Sequence, residues 1–290
     1  MITTAPATKL RHRAEALAAR LPPLLVAAYR VAATVAPGSH GRRRAGRGEG
    51  FWQFRRYQSG DAASLIDWRQ SARSQPLYIR ETERDTAQSV WVWADRSGSM
   101  DYRSSAAMLG CKRDHAEVLL LALTLLLIRA GERVAVLGTQ TRPDTGERAF
   151  ERLAATLPRR TQSLPEPDGL PRHARLVLLS DFLSPLPEIE RLVKQMAAQG
   201  VRGHLLQVLD QAEETLPFSG RVTFTGFEGE APLLVPRVEA VRSAYMARLA
   251  DHRAGLAFIA RAAGWSFNIH HTDRPPEAAL LTLKGALSQP

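Results

Sequence analysis

A chain of 290 residues with 44% hydrophobic and 23% charged residues has the composition of a soluble globular protein, and the length for one large α/β domain plus an appended region. Its single cysteine, Cys111, excludes an intrachain disulfide and makes a reducing, cytoplasmic setting the expectation. The net charge of +10 is concentrated in residues 1–59, where eleven Lys and Arg face only Glu15 and Glu49, so a basic arm precedes a nearly neutral body.

Met1 to Pro6 lacks the basic start of a secretory signal, and no continuous apolar stretch follows it. Residues 9–20 place Ala, Leu and Arg at helical spacing and predict a short amphipathic helix ending near Pro22. Residues 21–36 are apolar on average but broken by Pro22, Pro23 and Arg30, and the purer run 118–128 falls well short of the roughly 20 residues a membrane span needs. The stretch 37–50, rich in Gly and Arg, predicts a flexible link. Its arginine cluster, 42–47, suits an acidic surface, nucleic acid or anionic lipid, although no aromatic stacking platform accompanies it. Residues 1–49 are therefore expected to form a basic extension and linker. Residues 50–87, dense in aromatics and charges without a clear period, are expected to pack on the core.

From residue 88 the pattern is regular. Strand-like runs at 89–94 (SVWVWA), 133–137, 175–180 (RLVLLS), 201–209 and 265–270 alternate with helical stretches at 112–130, 148–157, 188–199, 238–263 and from 276 onward. Gly131 and Gly200 stand where two of these helices would stop. Residues 221–225 and 232–235 could form a hairpin. Strands alternating with helices of ten or more residues mean βαβ units, and apolar runs such as SVWVWA fit strands buried on both faces. The fold class expected for 88–290 is a doubly wound α/β domain with a mostly parallel sheet.

In such sheets ligands bind outside the carboxyl ends of the strands. Asp95 directly follows SVWVWA, and Asp181 directly follows RLVLLS. A carboxylate in that position is costly to bury unless it is paired or metal-bound. Ser97 and Ser99 follow Asp95 at alternate positions, so in an extended loop one carboxylate and two hydroxyls converge, with Gly98 letting the loop bend closely. Carboxylate, hydroxyl and water form a hard oxygen set that suits Mg²⁺, Mn²⁺ or Ca²⁺ and not zinc.

Asp95-Arg96-Ser97-Gly98-Ser99 resembles the Asp-x-Ser-x-Ser signature of von Willebrand factor A domains, whose metal-ion-dependent adhesion site lies at that loop. The resemblance implies a Thr from a later loop and a second Asp completing the site. Asp181 matches the second Asp; Thr145 is the best candidate for the Thr and Thr141 the next, although no Gly-Gly-Thr motif is present. Upstream, Arg55-x-Tyr57-x-x-Gly60-Asp61, followed by Ile66-Asp67-Trp68-x-x-Ser71-Ala72-Arg73, resembles the hallmark of DUF58, a bacterial family that carries this block before a von Willebrand A-like domain. Members are often encoded beside MoxR-type AAA+ ATPases, which implies an adaptor that uses Mg²⁺, or Mn²⁺ or Ca²⁺ in its place, to receive a carboxylate from a protein partner. Within the block, internal salt bridges among Asp61, Asp67, Arg69 and Arg73 over Trp68 and Tyr57 compete with a direct binding surface.

A catalytic reading is weaker. A haloacid dehalogenase-type phosphatase needs a second Asp two residues after the first, and Ser97 stands there, leaving the leaving group without an acid. The eight histidines include no His-x-x-x-His pair, and His270-His271 fits packing and solvent exposure. The expectation is a binding protein and not an enzyme, with nucleic-acid binding through the basic arm as the other reading.

Overall fold

The computed structural model describes residues 23–35, 43–46, 50–58, 61–62, 64, 66–72, 76–85, 88–104, 110–139, 141–158, 162–167, 169–227 and 229–288. The helix expected at 9–20 lies outside them, as do Gly60 and Arg73.

Five parallel strands form the central sheet: β4 (Ser89–Ala94), β5 (Arg133–Val136), β6 (Arg175–Ser180), β7 (Arg202–Leu209) and β10 (Ser266–His271). Their order is β10-β7-β6-β4-β5, so the chain steps one way from β4 to β5, then returns to β4's other side and runs outward. The switch point therefore lies between β4 and β6. The sheet is the doubly wound α/β arrangement that the alternation of elements implied.

Side-chain alternation along β4 explains why both faces are covered. Val90, Val92 and Ala94 face one core, and Trp91 and Trp93 face the other. The first core is built on α3 (Lys112–Arg129), whose Leu-rich sequence is apolar all round because α1 (Pro23–Thr34), α4 (Glu147–Thr156) and α8 (Pro276–Ser288) cover what the sheet leaves open. The second is closed by α5 (Leu186–Ala198) and the 25-residue α7 (Val238–Ala262). Gly131 and Gly200, at φ 83° and 76°, follow α3 and α5 in the left-handed region that ends a helix cleanly. A short helix α6 (Gln211–Thr215) follows β7, and β8 (Val222–Phe224) pairs antiparallel with β9 (Leu233–Val235) as the expected hairpin.

Two boundaries differ from expectation. Residues 23–35, expected within the basic extension and linker, pack on the domain: Ala28, Val31, Ala32 and Val35 are buried in the first core against α3. Pro23 opens that helix at a position where its missing N–H is harmless, so one of the prolines that broke the apolar run marks its start. The segment 50–87 takes part in a second, antiparallel sheet in which β3 (Tyr78–Asp85) lies between β1 (Arg43–Gly46), from the predicted link, and β2 (Gly50–Arg56). Part of the predicted link is thus a strand, with Arg43 in register with Asp85 and Arg44 with Arg84.

Candidate functional site

Parallel pairing of β4 and β6 sets Ala94 beside Leu179, which brings Asp95 and Asp181 to the same end of adjacent strands. Asp95 is fully buried. Its Oδ1 accepts from Ser97 N at 2.7 Å and its Oδ2 from Ser180 Oγ at 2.6 Å, both neutral donors. Ser180 Oγ in turn accepts from Phe182 N at 2.9 Å, which fixes its proton toward Asp95. Burial is the main cause that pushes the Asp95 carboxyl up from 3.8 to about 6, outweighing these hydrogen bonds.

The two serines behave as their spacing predicts. Ser97 Oγ lies 3.2 Å from Ser99 Oγ, and Ser99 Oγ donates to Asp181 Oδ2 at 2.7 Å. Asp181 Oδ1 accepts from Leu183 N at 3.2 Å, and its carbonyl accepts from Gln207 Nε2 at 2.7 Å. Asp95, Ser97, Ser99 and Asp181 thus form one connected cluster. In type, these carboxylate and hydroxyl oxygens fit a hard divalent cation, and the buried Asp95 charge facing only neutral donors is what such an ion would offset.

The threonines do not join them. Thr145 is exposed and its N–H donates to the carboxylate of Asp144, whose backbone pairs with Val134 near the start of β5. Val134 is in register with Val90, five residues before Asp95, so Thr145 lies about 16 Å away along the sheet. Thr141 bonds Thr139 and the backbone of Val136, on the edge strand. Other hydroxyl residues line the cleft above the cluster instead: Ser163, whose Oγ accepts from Ser184 Oγ at 3.2 Å, Ser184 itself and Thr225. That cleft, about 480 Å³, is walled by Ser99, Asp181, Ser163, Glu188 and the Thr225–Phe227 connection.

Gly98 has a different reason from the one its spacing implied. A Cβ there would sit 2.5 Å from Phe227 O, so the glycine admits the β8–β9 connection over the loop. Tyr102 meets Phe227 edge-on at 6.3 Å, and Phe227 remains 54% exposed at the rim.

Sequence reasoning passed over Lys112. It opens α3 and is fully buried, with Nζ 2.9 Å from Asp181 Oδ2 and 2.6 Å from Glu213 Oε1. Burial works to lower its pKa; Asp181 and Glu213 outweigh that and hold the ammonium charged. Glu213 Oε2 accepts from Asp210 N, so this lysine ties the strand-end Asp to the capping box of α6. Beside it, Arg96 of the loop pairs with buried Glu117 of α3 at 2.8 Å.

The upstream block is organised by internal bonds. Arg55 grips Asp61 with two parallel bonds of 3.0 and 2.9 Å, and Asp67 caps α2 (Trp68–Ser71) by accepting from Gln70 N. Tyr57 is half-buried, and Trp68 is 66% exposed on that cap, so it does not serve as a packed floor beneath the ion pairs. His270 is buried against His115, and His271 pairs with Glu214.

The family model described as protein of unknown function DUF58 matches residues 53–255. Uncharacterized proteins of Mycobacterium tuberculosis and Mycobacterium bovis are 28% identical over 242 residues, covering 77% of this chain and 74% of theirs. Among solved structures, the conserved hypothetical protein BatB from Bacteroides thetaiotaomicron has a TM-score of 0.36 at 13% identity, covering 70% of this chain and 98% of that one. An aerotolerance-related membrane protein from Bacteroides fragilis has a TM-score of 0.37 at 14% identity, covering 69% and 98%. The SpRpn10 VWA domain has a TM-score of 0.39 at 10% identity, covering 68% and 95%. Among the described residues, no helix is long and apolar enough to cross a membrane.

Proposed function

For this chain, which belongs to the DUF58 family, we propose a non-catalytic, cation-dependent protein-docking role at the Asp95–Ser99 loop, as an adaptor for a MoxR-type AAA+ ATPase or its client. The observation that carries the reading is the buried Asp95 carboxylate, bonded on both oxygens by neutral donors and lying beside two converging hydroxyls. Asp95, Ser97 and Ser99 would hold Mg²⁺, or Mn²⁺ or Ca²⁺ in its place, with Asp181 hydrogen-bonded behind Ser99. A bound ion supplies a Lewis-acidic position that a partner's Asp or Glu oxygen can occupy. The cleft and the exposed Phe227 rim give that partner a surface to rest on. A binding role is favoured over hydrolysis because Ser97 stands where a leaving-group acid would be needed.

The test is interaction with a MoxR-type AAA+ ATPase from the same organism, followed by calorimetry with wild type and Asp95→Asn at constant Mg²⁺, so that the ATPase keeps its own ion. Binding by wild type and its loss in the variant supports the proposal. Equal binding by both sinks it.

A further inference from the structure

The donor set of a divalent-ion site leaves one buried group unexplained: the ammonium of Lys112. A fully buried lysine keeps its charge when carboxylates face it, and this one has two, Asp181 Oδ2 at 2.9 Å and Glu213 Oε1 at 2.6 Å. Asp181 Oδ2 is also the oxygen that takes the Ser99 hydroxyl, and Oδ1 takes Leu183 N. The Asp181 carboxylate thus accepts from three donors within the protein, and one of them carries a full positive charge. The donors bonded to Asp95 are by contrast neutral, from Ser97 and Ser180.

We infer that Lys112 is a resident cation of the site: it competes with a divalent ion for Asp181 and so sets how tightly that ion is held. The inference rests on the cation-dependent reading above and adds a consequence to it. An ion coordinated through Asp95, Ser97 and Ser99 gains little from an Asp181 charge that Lys112 already neutralises, and it meets a like charge across that carboxylate. It is held weakly until a partner's carboxylate supplies the missing negative charge. Ion and partner then bind with mutual reinforcement, each raising the other's affinity by the same factor. The second carboxylate, Glu213, gives Lys112 an ion pair to keep if Asp181 turns toward an incoming ion.

The test is calorimetric titration of Mg²⁺ and of Mn²⁺ into chelator-stripped full-length wild type, Lys112→Met, and Lys112→Met combined with Glu213→Gln, each with a parallel melting curve. The double variant removes one positive and one negative charge together, which protects the fold if the single variant leaves Glu213 uncompensated. The expected result is about tenfold or tighter ion binding in the double variant than in wild type, with a larger rise in Tm on adding the ion. A lysine with only a packing role would give weaker binding on removal. Equal binding, weaker binding, or no binding to any of the three proteins overturns the inference. The docking proposal fails by a separate result, partner binding indifferent to Asp95→Asn, which the ion titrations do not depend on.

Discussion

Replacing Asp95 by asparagine should stabilise this protein at neutral pH in chelator. The carboxylate is fully buried, and burial lifts its pKa from 3.8 to about 6. At about 1.4 kcal/mol per pH unit, ionising it in the fold costs about 3 kcal/mol relative to the unfolded chain. The direction follows from that rise. A carboxyl that binds its proton more tightly when folded contributes stability that is complete below about pH 4 and is lost as pH rises through 6. Asparagine is isosteric and uncharged. Its oxygen can still accept from Ser97 N, and its NH₂ can donate to Ser180 Oγ if that hydroxyl turns. Allowing about 1 kcal/mol for the weaker bonds leaves about 2 kcal/mol of gain, or about 4–8 °C in Tm for a chain of this size. Thermal melts of both proteins in EDTA between pH 4 and 8 measure it. The difference should open between pH 4 and 6.5 and stay flat above. A variant that melts below wild type at pH 8, or a gap independent of pH, refutes the reasoning that Asp95 is an uncompensated buried charge. With Mg²⁺ present, wild type should regain stability above pH 6 and the variant should not.

Other perturbations probe the surroundings. Gly98→Ala places a methyl group against the backbone of Phe227, so the β8–β9 connection must move; about 1–3 kcal/mol of stability should be lost, with proteolysis at residues 225–230 becoming faster. Unchanged cleavage there would contradict the close approach. Glu117→Ala removes the carboxylate that faces the buried Arg96 guanidinium, and urea unfolding should show a loss of about 3 kcal/mol, much of it recovered when Arg96→Met is added. Ala28→Asp, in a helix first read as part of the basic extension, should cost about 3 kcal/mol or more and lower Tm sharply, because Ala28 is fully buried against α3. A Tm within a degree of wild type would return that helix to the arm.

The architecture was largely legible in the chain, for reasons visible in particular elements. SVWVWA and RLVLLS are apolar at every position because both sheet faces are covered, and Gly131 and Gly200 mark helix ends by the backbone conformation they allow. Asp95 and Asp181 could be singled out because an acid directly after such a strand is unusual whatever the fold, and Ser97 and Ser99 followed from local spacing. These are all short-range signals, carried by residues within a few positions of one another.

What only the tertiary structure decided depends on which distant loops meet. The Thr145 assignment came from chain order, and order does not say at which end of the sheet a loop returns; it returns near the start of β5. Gly98 is small because residue 227 crosses above it, a contact spanning 129 positions. Prolines 22 and 23 looked like interruptions of an apolar run, and only packing against α3 shows that the second begins a core helix. Lys112 is the clearest case. In the sequence it is one charge flanking an apolar helix, with nothing to separate it from Arg113 beside it. Burial and the meeting of Asp181 and Glu213, 69 and 101 positions away, make it the resident charge of the site. An ion pair has no periodicity, so it cannot be read along the chain; it exists only once the fold has brought its members out of water together.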